Sequence, residues 1–114
     1  MITAKETTAN ISAVRSKRFV RAKNAVRRVV DLLVKKYRVR KIILVGSLVD
    51  KDRFGFHSDI DLCVEGLPDK LYFKAAGESL LLTDEFDIDI IPFENLSPDK
   101  RELVMKGKIL YEKR

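Results

Sequence analysis

Two short stretches, "DIDLCVEG" at Asp59–Gly66 and "EFDIDIIP" at Glu85–Pro92, alternate acidic and apolar residues with a period of two. That period belongs to β-strands: Ile60, Leu62 and Val64 fall on one face, and Asp59 and Asp61 on the other, with Asp87 and Asp89 set the same way. Carboxylates two residues apart on a strand stand about 6.6–7 Å apart. At that spacing they repel by about 2.5 kcal/mol at an effective dielectric of 20, less where water screens them. One such strand is ordinary for a sheet that shows its acids to water. Two of them present four carboxylates on what can be a single face, and a cation would offset the repulsion; all-oxygen ligation suits Mg²⁺ or Mn²⁺.

The segments around these strands complete an α/β pattern. Between Ile11 and Tyr37, apolar residues recur at Phe19, Ala22, Val26, Val29, Val30, Leu33 and Tyr37, the three- and four-residue steps of an amphipathic helix. Its other face carries Lys17, Arg21, Lys23, Arg27, Arg28, Lys35 and Lys36, either a solvated face or a contact for an anion such as nucleic acid. "KIILVG" (Lys41–Gly46) reads as a buried strand ending at glycine. A helix is expected over Pro68–Leu82, with Leu71, Ala75, Ser79 and Leu82 on one side, though Gly77 weakens it. Ser97, Pro98 and Gly107 mark the cap, first turn and end of another, and "KILYE" suits an edge strand. The resulting order predicts an α/β or α+β domain with a small mixed sheet flanked by helices, in one domain spanning 1–114.

Charge divides the chain unevenly. The net charge is +6, yet residues 1–41 hold 13 Lys+Arg against 2 acids, leaving residues 42–114 with 10 against 15. Cys63 is the single cysteine and His57 the single histidine, so neither an internal disulfide nor a zinc site is expected. No apolar run reaches a membrane-spanning length and the first ten residues lack an apolar signal core, so the expected location is the cytoplasm, away from membranes.

Gly46-Ser47 supplies the other half of a constellation. A glycine at a strand end lets an anion approach the backbone, and the serine that follows can donate its hydroxyl to a phosphate oxygen. Phosphate donors one loop before an Asp-x-Asp strand are the parts that phosphoryl transfer requires. "VGSLVDKDRFGFHSDIDL" followed by "FDIDIIPFENLSPDKRELVMKGKILYE" resembles the minimal nucleotidyltransferases of the DNA polymerase β-like superfamily, over roughly Lys41 to Glu112. The resemblance implies a polymerase β-like palm fold, with residues 41–112 as catalytic core behind a basic helix over 1–40. It implies transfer of a nucleoside monophosphate, AMP from ATP, with two Mg²⁺ ions (or Mn²⁺) as cofactors and release of pyrophosphate. Gly46 and Ser47 would hold the triphosphate; Asp59, Asp61 and Asp89 would be the catalytic metal ligands. Asp89 matches the third carboxylate because it precedes Ile90-Ile91, with Asp87 the competing candidate.

The loop between Ser47 and Asp59 holds eleven residues, one more than the family's habit. Where the family commonly has an arginine after Gly-Ser stand Leu48, Val49, Asp50 and Lys51, so Lys51 or Arg53 would supply the phosphate-facing cation. Minimal members often act beside a small helical HEPN protein, many as antitoxins that modify a toxic RNase with AMP. The resemblance therefore implies a HEPN-type partner as acceptor. The alternatives are a non-catalytic module that neutralises a partner by binding, and a nucleic-acid binder acting through the basic helix.

Overall fold

The computed structural model describes residues 4–46 and 59–114. Helix α1 spans Ala4–Lys35, followed by β1 (Lys41–Val45), β2 (Ile60–Glu65), α2 (Tyr72–Leu81), β3 (Ile88–Pro92), α3 (Pro98–Val104) and β4 (Lys108–Glu112). Single 3₁₀ turns at Asp69–Leu71 and Phe93–Asn95 lead out of β2 and β3. The four strands form one mixed sheet in the order β3-β2-β1-β4, with β2 and β3 parallel and the other pairs antiparallel. Among the described residues, no helix is long and apolar enough to cross a membrane.

The period-two pattern decides which face is covered. Ile42, Leu44, Ile60, Leu62, Val64, Ile88 and Ile90 form one buried cluster with Ala22, Ala25, Val26, Val29 and Leu33 of α1 and Ala75 of α2. Burying a branched aliphatic side chain is worth about 1.5–3 kcal/mol, so this cluster is the main source of stability. The opposite face reads in rows set by the register. Ile43, Cys63 and Ile91 lie side by side in one row, and Val45, Asp61 and Asp89 in the next. Ile43 and Cys63 are buried but stand outside the helix-side cluster.

The helices begin and end differently from their sequence signals in three places. α1 starts at Ala4 rather than near Ile11, and closes at Arg38, whose left-handed φ of 53° turns the chain toward β1. The helix expected from Pro68 starts as a 3₁₀ turn, because Pro68 is extended with ψ 140°, and becomes α-helical only at Tyr72. In α3, Ser97 caps the Lys100 N–H at 3.4 Å as expected, but the helix stops at Val104 and Gly107 is no left-handed cap. Gly107 is there for space: a Cβ on it would lie 2.5 Å from the Leu44 carbonyl oxygen and 2.9 Å from methyl carbons of Ile43 and Val45.

Two alanine substitutions should therefore act in opposite directions. Gly107→Ala pushes against backbone and branched side chains and should cost about 1–3 kcal/mol. Gly77 lies inside α2 with open space around its Cα, so Gly77→Ala should add about 0.5–1 kcal/mol. Urea unfolding of the two variants measures both signs; equal effects would contradict the packing described.

Candidate active site

β1 ends at Val45, and Gly46 turns the chain away with φ 80°, a conformation in which side chains are strained. The turn places the Gly46 backbone against the next strand: a Cβ there would meet Asp61 Oδ2 at 3.0 Å. Glycine is thus required twice over, for its torsion and for contact with the carboxylate.

Asp61 is flanked in register by Val45 on one side and Asp89 on the other. Neighbouring strands run about 4.8 Å apart, so the Asp61 and Asp89 backbones stand closer than the two acids of either Asp-x-Asp pair. The register produces this juxtaposition: pairing Ile60 with Ile88 in the core sets Asp61 beside Asp89 on the opposite face. Asp59 precedes β2 by one residue, and the adjacent Ile60 N–H donates to the Asp87 carbonyl at 2.9 Å. The backbone of Asp87 thus closes the mouth of the β2–β3 pair, and its side chain lies exposed before β3 begins. On the far side of β3, the Tyr72 hydroxyl donates to the Ile90 carbonyl at 2.9 Å, bracing the strand that carries Asp89. An aromatic near the start of a helix carries no sequence signal for this bracing role.

The electrostatics follow from the geometry. Burial first, then the charges of Asp89 and Asp59, push the Asp61 carboxyl above the usual aspartate range. Among the described residues no Lys or Arg pairs with Asp59, Asp61 or Asp89, whereas Glu65, Glu78, Glu85 and Glu112 all have cationic partners. Cys63, on the same face, is buried, with its thiol pushed up to about 11 by burial and by Glu94 and Glu65. It stays protonated and serves packing.

Among the described residues no three His, Cys, Asp or Glu side chains converge closely enough to hold a metal as they stand. Like charges spread apart, and the three aspartates lie at one end of the β2–β3 pair without meeting at one point. Their chemistry still fits a hard divalent cation: three carboxylates, one partly buried, with no protein cation among the described residues to offset them. Of the residues singled out from sequence, Gly46, Asp61 and Asp89 come together with Asp59 beside them. Ser47, Lys51, Arg53 and His57 lie outside the described residues.

Residues 26–111, about three quarters of the chain, match the family described as nucleotidyltransferase domain. The chain belongs to that family. The matched region takes in the latter part of α1, β1 to β3 and β4 up to Tyr111, and with them Gly46 and every aspartate discussed above. The mixed sheet with its flanking helices is consistent with the nucleotidyltransferase fold of the DNA polymerase β-like superfamily. Transfer of a nucleoside monophosphate is the chemistry that membership supports in general terms. No curated protein matches the chain.

The raised Asp61 carboxyl gives a stability prediction. A group whose folded pKa lies above its unfolded value favours folding when protonated, so its penalty appears as pH rises through the folded value. Asp61→Asn should therefore raise the Tm at pH 7, by an amount limited by screening at this part-exposed site, and change it little well below the unfolded pKa. Excess Mn²⁺ should raise the Tm of the parent protein and leave the variant almost unmoved. Thermal scans across pH, with and without Mn²⁺, check both statements.

Proposed function

We propose that this nucleotidyltransferase transfers AMP from ATP to a hydroxyl on a protein acceptor, a small helical HEPN-type partner, and that it serves as the antitoxin of such a pair. The observation that carries the catalytic part is the register of Asp61 with Asp89 beside Gly46, with Asp59 next to them. It gathers on one sheet face a partly buried carboxylate, an exposed one and a close backbone approach.

Each residue then has a distinct task. Gly46 leaves room at the strand end for a phosphate to approach the backbone, and Ser47, the next residue in the chain, would donate its hydroxyl to that phosphate. Asp59 and Asp61 would hold both Mg²⁺ ions and Asp89 one of them. When bound, the metal pair supplies charge neutralisation for the attacking and leaving oxygens. Asp89 accepts the acceptor's proton as the new oxygen–phosphorus bond forms and the bond from the α-phosphorus to the leaving pyrophosphate breaks. Lys51 or Arg53 would face the leaving charge. Asp87 is assigned no part, because the register sets Asp89 rather than Asp87 beside Asp61.

Incubation with ATP labelled on its α-phosphate, Mg²⁺ and the HEPN-type protein encoded beside it should label that protein. Asp59→Asn, Asp61→Asn and Asp89→Asn should each lower the rate by about 10²-fold or more, and Asp87→Asn by less than tenfold. An Asp87→Asn loss matching Asp89→Asn would reassign the third carboxylate. A second reading is favoured by the open spacing of the carboxylates, namely a module that neutralises its partner by binding alone. It requires the doubly substituted Asp59→Asn, Asp61→Asn protein to neutralise as well as the parent, and the catalytic reading requires it to fail.

A further inference from the structure

The cations of α1 fall on two sides with different surroundings. Toward α2, Arg21 and Arg18 meet Glu85 at 2.8 and 3.5 Å, and Lys36 meets Glu78 at 2.7 Å. Toward β4, Lys23 and Arg27 of α1 face Lys108 of β4, and among the described residues no carboxylate pairs with any of the three. They border a hollow of about 490 Å³ between α1 and the β1–β4 edge, whose floor is apolar: Val26, Leu44 and Leu110. A second hollow of about 280 Å³ shares Val26, Arg27 and Leu110 and continues to Val30 and Asp31, the latter 3.9 Å from Lys35. From Phe19 to Asp31 the combined groove follows α1 for about 18 Å at 1.5 Å per residue.

Within it, the Lys23 ammonium lies over the Phe19 ring, 5.5 Å from its centroid, and within reach of Lys108. Burial, then Lys108 and Arg27, hold Lys23 below the usual lysine range, the mark of like charges gathered around a partly dry hollow. Val20, at the wall, is 56% exposed.

We propose that this groove docks a short acidic segment of a protein partner, seating an apolar side chain on the Leu44–Leu110 floor and carboxylates against Lys23, Arg27 and Lys108. Charge complementarity selects that occupant: carboxylates of the chain itself satisfy the α2 side of the helix, whereas on the β4 side Asp31 faces Lys35 and, among the described residues, no carboxylate pairs with Lys23, Arg27 or Lys108. A nucleic-acid backbone asks for a row of exposed cations along its phosphates, whereas here the cations ring an apolar hollow. The groove lies on the helix-covered face and the aspartates on the other, so the proposal stands apart from the transfer reaction.

The probe is a fluorescein-labelled peptide of about twelve residues carrying leucines and glutamates on alternate faces, titrated with the full chain by anisotropy. Binding should weaken at least about tenfold when its glutamates become glutamine, when its leucines become serine, and when the protein carries Lys23→Glu with Lys108→Glu. A lysine counterpart of the peptide should instead bind that doubly reversed protein, showing that it remains folded. Absence of peptide binding to the parent chain, or unchanged affinity in the reversed protein, overturns the proposal. So does displacement of the peptide by single-stranded or duplex oligonucleotides at lower concentration than the unlabelled peptide itself requires, which would make the groove a phosphate-binding surface. AMP transfer should be the same in parent and reversed proteins when the acceptor is saturating, which separates failure here from failure of the catalytic reading.

Discussion

Parallel pairing of β2 with β3 is the constraint on which the site depends. Both strands carry the same phase, aspartate outward and isoleucine inward, and the crossover through α2 lets them run the same way. Ile60 then sits beside Ile88 in the core while Asp61 sits beside Asp89 on the outer face. One choice of register serves both. A shift by one residue would bring aspartates into the helix-side cluster and isoleucines to water, so the hydrophobic effect that holds α1 and α2 to the sheet also holds two like charges together. The repulsion is small against the burial of seven branched aliphatic strand residues, and folding enforces it.

Much of this was legible in the sequence because its causes are local. The period-two alternation gives each strand and its inner face, and the apolar stripe of α1 predicts Ala22, Val26, Val29, Leu33 and Tyr37 as buried, as they are. Ser97 and Pro98 announce α3 by chemistry confined to one turn. The strand ends were less legible: β3 begins at Ile88 rather than Glu85, because pairing with β2 starts only where both backbones are extended and in register. Gly107 misled for a similar reason. It looks like a helix stop, but its cause is the Leu44 carbonyl, distant in sequence and met only once β4 folds onto β1.

The candidate site divides along the same line. Asp59, Asp61 and Gly46 could be picked out from their spacing, whereas the choice between Asp87 and Asp89 depends on register, which no single strand encodes. Pairing sets the two apart in position: Asp89 stands beside Asp61 and acts on its carboxyl, while Asp87 lies one residue before β3 with its carbonyl accepting from the Ile60 N–H. The braces behind the site, such as the Tyr72 hydroxyl on the Ile90 carbonyl, are equally long-range contacts.

Charge in this chain is likewise organised by face rather than by total. The net +6 would suggest a uniformly basic surface, yet the outer face of the sheet gathers Asp59, Asp61 and Asp89 without cationic partners among the described residues, and the β4 side of α1 gathers Lys23, Arg27 and Lys108 with no carboxylate paired to them among those residues. Either cluster alone raises the energy of the folded chain, and each is relieved by a ligand of opposite sign. Between them lies α1's α2 side, where Glu78 and Glu85 neutralise Lys36, Arg18 and Arg21. The pairs formed within the chain thus mark the surface it uses to hold itself together, and the unpaired clusters mark the surfaces on which it has charge to offer something else.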